Sequence, residues 1–387
     1  MALLKPRMYL PFYAKLALVL VSLISMGYIF VLAKQILSPL LYSFLFAILL
    51  LPLATWLEKK FRFPRSLAAS SSVLLMILFI YLIVYFVGSQ LSSLADDWPV
   101  FKQTFAASLS DFQHWISQRF HVNMAKQINY INKATSNLVS SSTTIIGETV
   151  LSLSSLILFL VFVTIYTFFI LFYRRLIIRF LIAVFQEENA VTVLDIVEQV
   201  QFIIRKYIVG LLLEMAIVSA ACCIAFSIIG IKYAILLGFI TGLFNIIPYI
   251  GIFSSLVLTT LITIGTAAST TTIVLVMCTI GGMHLVDSNF LLPFIVGSKV
   301  KINAFITLLG VIIGEMLWGI SGMFLSVPVI AICKIVFDRI DSLNPWGLLL
   351  GDEKDEEEPG KLREEVHKGG IMDHEEPSLE QKTLGKK

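Results

Sequence analysis

Two short stretches place groups with binding chemistry inside hydrocarbon. GLFNIIPYIGIF, residues 242–253, sets Asn245, Pro248, Tyr249 and Gly251 in an otherwise apolar run. DSNFLLPFIVG, residues 287–297, sets Asp287, Asn289, Pro293 and Gly297 in another. Both read Asn, a few apolar residues, Pro, an aromatic, Ile and a nearby Gly; Asn precedes Pro by three residues in the first and by four in the second. A proline in a helix interior removes a backbone hydrogen bond and costs about 3 kcal/mol. In lipid a freed carbonyl finds no water, so broken backbone persists only when buried in protein or lining a wet cavity. There its open carbonyls and amides can bind a polar ligand or an ion. On this reading Asn245 and Asn289 offer amide hydrogen bonds and Tyr249 a hydroxyl or ring face. The prolines and glycines open the backbone, and Asp287 binds a cation or proton. A plain proline kink is the bland alternative.

Four ionisable residues inside apolar runs are candidates for ion or proton coupling: Asp287, Glu214, His284 and Glu315. A charge at mid-bilayer costs a few kcal/mol on insertion scales, so such groups face a cavity or a partner. Asp287 lies beside Ser288 and Asn289 and just before Pro293; its alternative is a helix cap near the interface. Glu214 is two turns from Arg205 and Lys206 and could pair there. Glu315 precedes Met316, Leu317 and Trp318, which also suits an interfacial position. His284 could carry a proton or simply pack.

Enzyme signatures are missing from the sequence: no HExxH, GxxxxGK[ST] or GxSxG, and no Cys/His metal spacing. The expectation is a non-enzyme with no cofactor and no metal. Cys222, Cys223, Cys278 and Cys333 all sit in apolar runs and read as small packing residues.

These groups need a frame to hold them. The chain has 387 residues, of which 57% are hydrophobic and 14% charged, with a mean hydropathy of +0.88. The lipid bilayer is therefore its partner, and a net charge of +3 gives no case for nucleic acid. Apolar runs lie near 13–33, 37–57, 67–88, 149–173, 207–229, 233–266, 271–296 and 303–337. The first reads as a span rather than a cleavable signal, because a second run follows at once. The fold class is all-α: a polytopic membrane protein of about eight transmembrane elements, some discontinuous.

Basic clusters orient the runs. Lys5, Arg7 and Lys15, then Lys59, Lys60, Arg62 and Arg65, then Arg174, Arg175 and Arg179 mark the cytoplasmic side. Both termini are then cytoplasmic and segment 90–148 external. In it Leu91, Leu94, Trp98, Phe101, Phe105, Leu109, Phe112 and Ile116 recur at steps of three and four, an amphipathic helix. A second amphipathic stretch, with Val193, Val197, Val200 and Ile204 on one face, predicts a helix from Gln186 to Tyr207 feeding the fifth span. The division is 1–89, a hairpin and third span; 90–148, external; 149–206, fourth span and cytoplasmic helix; 207–337, transport region with broken helices; and 338–387, a mostly disordered tail. Residues 1–175 would supply scaffold and oligomer contacts.

Gly230, Tyr233, Ala234 and Gly238 lead into GLFNIIPYIG, followed by DSNFLLPFIVGSKVKI and GVIIGEMLWGISGMFLSVPVIAICKIV. In these residues the sequence resembles the AI-2E family of bacterial transporters, named for autoinducer-2 export. The N-terminal hairpin, the polar segment before the fourth span and RKYIVG opening the fifth also fit. The resemblance runs over about 10–340. It departs at Lys232, where many relatives have Pro, at Met283–His284, where they have a glutamine-rich approach, and near Asn303 and Ala304, where they have Pro. It implies a multi-pass inner-membrane protein, a homopentamer, and elevator-like movement of the C-terminal region. It also implies export of small polar molecules such as autoinducer-2, a quorum-sensing signal, in some members and sodium/proton antiport in others. The expected function is a secondary transporter exporting a small polar molecule; a sodium/proton antiporter or a passive channel are the alternatives, and the solute or cation is the partner.

Overall fold

The computed structural model describes residues 11–120, 142–185, 189–247, 250–266, 269–291, 294–295 and 302–351, with side chains for all of these but 109, 111–113, 115–120 and 142–153. The described residues are almost wholly helical. The helices are α1 (Phe12–Leu32), α2 (Lys34–Lys60), α3 (Arg65–Asp96), α4 (Trp98–Phe120), α5 (Ser142–Val184), α6 (Ala190–Ile229), α7 (Ala234–Phe244), α8 (Ile250–Thr266), α9 (Thr270–Val286), α10 (Ala304–Trp318), α11 (Ile320–Arg339) and α12 (Asn344–Leu350). A π-helical turn, Asp287–Leu291, extends α9. Seven are long and apolar enough to cross a membrane: α1, α2, α3, α5, α6, α9 with its π-turn, and α11. α7, α8 and α10 are shorter apolar helices. The molecule is a polytopic all-α membrane protein.

The 34-residue run 233–266 is not one span but two antiparallel arms, α7 and α8. Both outer ends of this hairpin meet the α3–α4 corner. Tyr233, at the head of α7, donates its hydroxyl to Asp97, and Ser108 of α4 donates to the Ile264 carbonyl of α8 at 3.3 Å. The run 303–337 likewise folds into α10 and α11, but from the opposite face. Its open end lies near the basic clusters, where Arg339 pairs with Asp195 at 2.6 Å. Its tip reaches the far end of α1, where the Trp318 indole donates to the Phe30 carbonyl at 2.8 Å. The two faces are called here the α4 face and the basic face.

Three apolar clusters join these parts. Ala47, Ala54, Ala69, Val73, Met76 and Leu171 bind α2, α3 and α5 together. Ile48, Ile204, Ile208, Leu211, Leu325 and Ile335 join α2, α6 and α11. Val218, Phe226, Leu236, Leu237, Ile262 and Val276 form the core of α6 through α9. Lipid is as apolar as leucine, so helix association there relies on close packing by small residues. α7 provides it with Gly238 and Gly242, four apart. A Cβ on Gly242 would lie 2.7 Å from the Met215 carbonyl oxygen of α6. α6 ends where Gly230 takes φ +81, a left-handed cap that lets the chain reverse into α7.

At 1.5 Å per residue, the 40 residues of α6 reach about 60 Å, twice a hydrocarbon core of about 30 Å. Its first half therefore projects beyond the basic face, as the amphipathic pattern of 193–204 leads one to expect.

Candidate functional site

Three helices deliver polar groups to the interior of the α6–α9 unit. Measured from the α4 face at 1.5 Å per residue, Asn245 lies about 17 Å along α7, Glu214 about 22 Å along α6 and Asp287 about 26 Å along α9. They meet. The Asn245 Nδ2 donates to Glu214 Oε1 at 3.0 Å and to Asp287 Oδ2 at 3.0 Å. Glu214 is 2% exposed and Asp287 6%. The other oxygens, Glu214 Oε2 and Asp287 Oδ1, are buried and have no partner among the described residues.

The backbone explains how each group is aimed. After Phe244 the helix tightens: Ile246 N–H donates to the Leu243 carbonyl and Ile247 N–H to that of Phe244. Three-residue bonds of this kind tighten the last turn, leaving Asn245 as the cap of α7. α9 instead widens. In its π-turn Ser288 Oγ donates to the His284 carbonyl and Asn289 Nδ2 to the Leu285 carbonyl, each at 2.8 Å, so side chains take up loosened carbonyls. On α9, Asp287 falls on the buried face of Val276 and Ile280.

The sequence-predicted residues separate into three groups. Asn245, Glu214 and Asp287 are brought together, Glu214 bonding to Asn245 rather than reaching Arg205 or Lys206. Gly251 stands at the same hairpin tip, where a Cβ would meet the Phe244 carbonyl oxygen at 1.8 Å. Asn289 and Glu315 are exposed; Glu315 lies on α10, in the other hairpin. His284 sits one turn before Asp287, with a buried Nδ1 that has no partner among the described residues. Pro248, Tyr249, Pro293 and Gly297 lie outside the described residues, and so does the comparison of backbone course at the two prolines.

Two further sets of polar groups are buried or paired without a strong signal in the sequence. Ser255, Thr259 and Thr263 of α8 are 1%, 0% and 0% exposed; their four-residue spacing was the available signal. At the α4 face, Asp97 accepts from Lys232 Nζ at 2.6 Å as well as from Tyr233. These bonds, Lys232 first and Tyr233 second, hold the Asp97 carboxyl below its ordinary value. Sequence distance hid that pairing.

Among the described residues no group of three or more His, Cys, Asp or Glu could hold a metal ion. The four cysteines are free. A cavity of about 750 Å³ opens between α2, α5, α6 and α11, lined by Phe44, Ile170, Arg174, Val193, Ile196 and Ile332 among others, and it does not include the polar cluster. Two carboxylates joined by one uncharged donor can do one thing well in this setting. They can hold a positive charge.

Comparison with known proteins agrees with a transport role. Two proteins of Bacillus subtilis (strain 168), YrrI and YueF, both named provisionally as transport proteins, are each 26% identical to this chain. The YrrI match spans 315 residues, 78% of this chain and 86% of YrrI; that of YueF spans 326 residues, 78% and 83%. The family model described as AI-2E family transporter matches residues 18–342. With a family-model match over most of its length, this chain belongs to the AI-2E transporter family.

Proposed function

We propose that the protein is a secondary transporter in which Glu214 and Asp287, bridged by Asn245, bind the coupling ion: a proton or a small monovalent cation such as sodium. The bridge itself carries the proposal. Both acceptor oxygens lie 3.0 Å from one nitrogen, so they are at most twice that distance apart. Two buried negative charges so close repel, and a neutral amide does not compensate them. A proton or a cation does, and loading one against the other is the elementary step of an antiporter. The unpartnered Oε2 and Oδ1 are the atoms such an ion would meet.

Sodium/proton exchange is the form this chemistry favours. Export of a small polar molecule such as an autoinducer-2-like sugar is the second reading, supported by the family and by the buried hydroxyls of α8 beside the hairpin tip. The basic clusters support a reading in which the basic face and both termini lie in the cytoplasm of a bacterial cell and α4 lies outside. α1 has no buried residue, an apolar surface left for lipid or for neighbouring copies in a homo-oligomer.

Flux measurements on purified protein in proteoliposomes test this. An imposed sodium gradient is expected to move an internal pH dye in wild type and not in Asp287→Asn, with labelled autoinducer-2 efflux measured in parallel. Absence of both fluxes ends the proposal. Discrete single-channel currents would replace the carrier by a pore.

A further inference from the structure

We propose that the hydroxyl-bearing face of α8 is the path by which a small monovalent cation or proton reaches the carboxylate pair from the α4 face, which rests on the pair being the coupling site. Gly251, Ser255, Thr259 and Thr263 are spaced by four and follow one buried face of α8 from the hairpin tip outward. The path begins where Glu214 Oε2 and Asp287 Oδ1 lack partners and ends under α4, where the Phe101 ring lies against Gly265.

The hydroxyls are not all spent on their own helix. Buried threonines in membrane helices commonly return their proton to the carbonyl four residues back. Thr241, Thr263 and Thr266 do so, at 2.7 to 2.8 Å. Thr259, though 0% exposed, does not. Its Oγ1 and that of Thr260 have no partner among the described residues. A buried donor left unpaired is costly unless a passing polar species uses it.

The other side of the pair offers nothing comparable. Between Glu214 and the basic face, α6 buries Val200, Ile204, Tyr207, Ile208 and Leu211 against α2 and α11. On that side the 750 Å³ cavity between α2, α5, α6 and α11 reaches Val200 and Gln201 but includes neither Glu214 nor Asp287. Among the described residues no row of small hydroxyls continues from it, so the hydroxyl-bearing way out is along α8.

Cysteine accessibility tests the path without requiring transport. In full-length protein with Cys222, Cys223, Cys278 and Cys333 replaced by serine, single Ser255→Cys, Thr259→Cys and Thr263→Cys changes would be made. Val257→Cys and Leu261→Cys serve as controls; these residues lie off the buried face of α8 and are 41% and 43% exposed. A membrane-impermeant methanethiosulfonate reagent is added to either side of sealed vesicles of known orientation. Labelling of 255, 259 and 263 from the α4 side is expected, with no labelling of 257 or 261. Labelling of 259 no faster than of 257, or only from the basic side, overturns the path. Thr259→Val, which removes an unpaired hydroxyl and so spares folding, is expected to slow labelling at the deeper position 255 by about tenfold, the factor one hydrogen bond supplies. Position 263 should be unaffected; equal slowing at both positions also overturns the path. If the stripe labels but proteoliposomes carry no flux, the coupling role falls and the path stands. If flux occurs without labelling, the path falls alone.

Discussion

The two hairpins break their helices in the same lipid environment and use the break differently. α7–α8 turns through Asn245, Ile246 and Ile247, and its tip holds a half-buried amide between two buried carboxylates. α10–α11 turns at Gly319, with φ 66 and ψ −141, a conformation almost reserved for glycine. Its arms touch backbone to backbone, since a Cβ on Gly322 would lie 1.9 Å from the Gly314 carbonyl oxygen. Around that tip are aromatic contacts, Phe30 on Trp318 and Tyr42 stacked on Phe324, and Glu315 points away into exposed surface. A helix break is therefore not a site by itself. The difference lies in what neighbouring helices contribute: Glu214 from α6 and Asp287 from α9 reach one tip, and no carboxylate among the described residues is buried at the other.

Asn245→Leu is expected to give the largest effect. It removes two hydrogen bonds to charged acceptors, each worth about 1.5–3 kcal/mol, and leaves both carboxylates facing each other, a loss of about 3–6 kcal/mol. Unfolding in detergent reads it. A loss under about 1 kcal/mol would mean that packing, not the amide, holds this tip, and the contrast between hairpins would collapse.

Next comes Asp287→Asn, which keeps the shape and removes one charge. Because it relieves like-charge repulsion, stability without added cation is expected to match or exceed wild type. What disappears is ligand stabilisation: sodium at a hundred times its dissociation constant would add about 2.7 kcal/mol to wild type and nothing to the variant. A sodium-induced rise in thermal midpoint that survives the substitution would take the ion site elsewhere.

Gly322→Ala attacks the other hairpin, and its expected cost of about 1–3 kcal/mol comes from forcing the α10–α11 arms apart. Sodium-dependent stabilisation should remain intact. If it is lost, the two tips are coupled and cannot be treated as separate devices.

How far these features could be read beforehand depended on their range. The spans follow from run length and hydropathy, and Asn245–Pro248 marked a break because local chemistry alone disfavours helix there. That runs 233–266 and 303–337 turn back on themselves was harder to see, since a kinked span and a hairpin share the same breakers. Glu214 illustrates the limit. Its nearest charges in sequence, Arg205 and Lys206, suggested a local pairing, while its partner Asn245 is 31 residues away and arrives only through the α6–α7 reversal at Gly230. Asn289 misled in the opposite sense: its place beside Asp287 implied a shared site, yet the π-turn points its amide back to Leu285. Ser255, Thr259 and Thr263 carried a visible spacing, but hydroxyls every four residues also occur on purely structural faces.

The smallest effect concerns the outer end of α7–α8, where Asp97 ties the α3–α4 corner to Lys232 and Tyr233, with Asp96 alongside. The pair is exposed, so Asp97→Asn is expected to leave the unfolding midpoint at neutral pH nearly unchanged, and any difference should shrink with salt. Its pH dependence has a fixed sign. A carboxyl held below its ordinary value when folded contributes fully above the unfolded value of about 3.9 and loses that contribution as pH falls through the folded value. A wild-type-minus-variant difference should thus be flat through the neutral range and vanish only in acid. Any stability change titrating between about pH 6 and pH 8 cannot come from Asp97. If Asp97→Asn abolishes one, the outer tie is more than mechanical and its contrast with the inner tip fails.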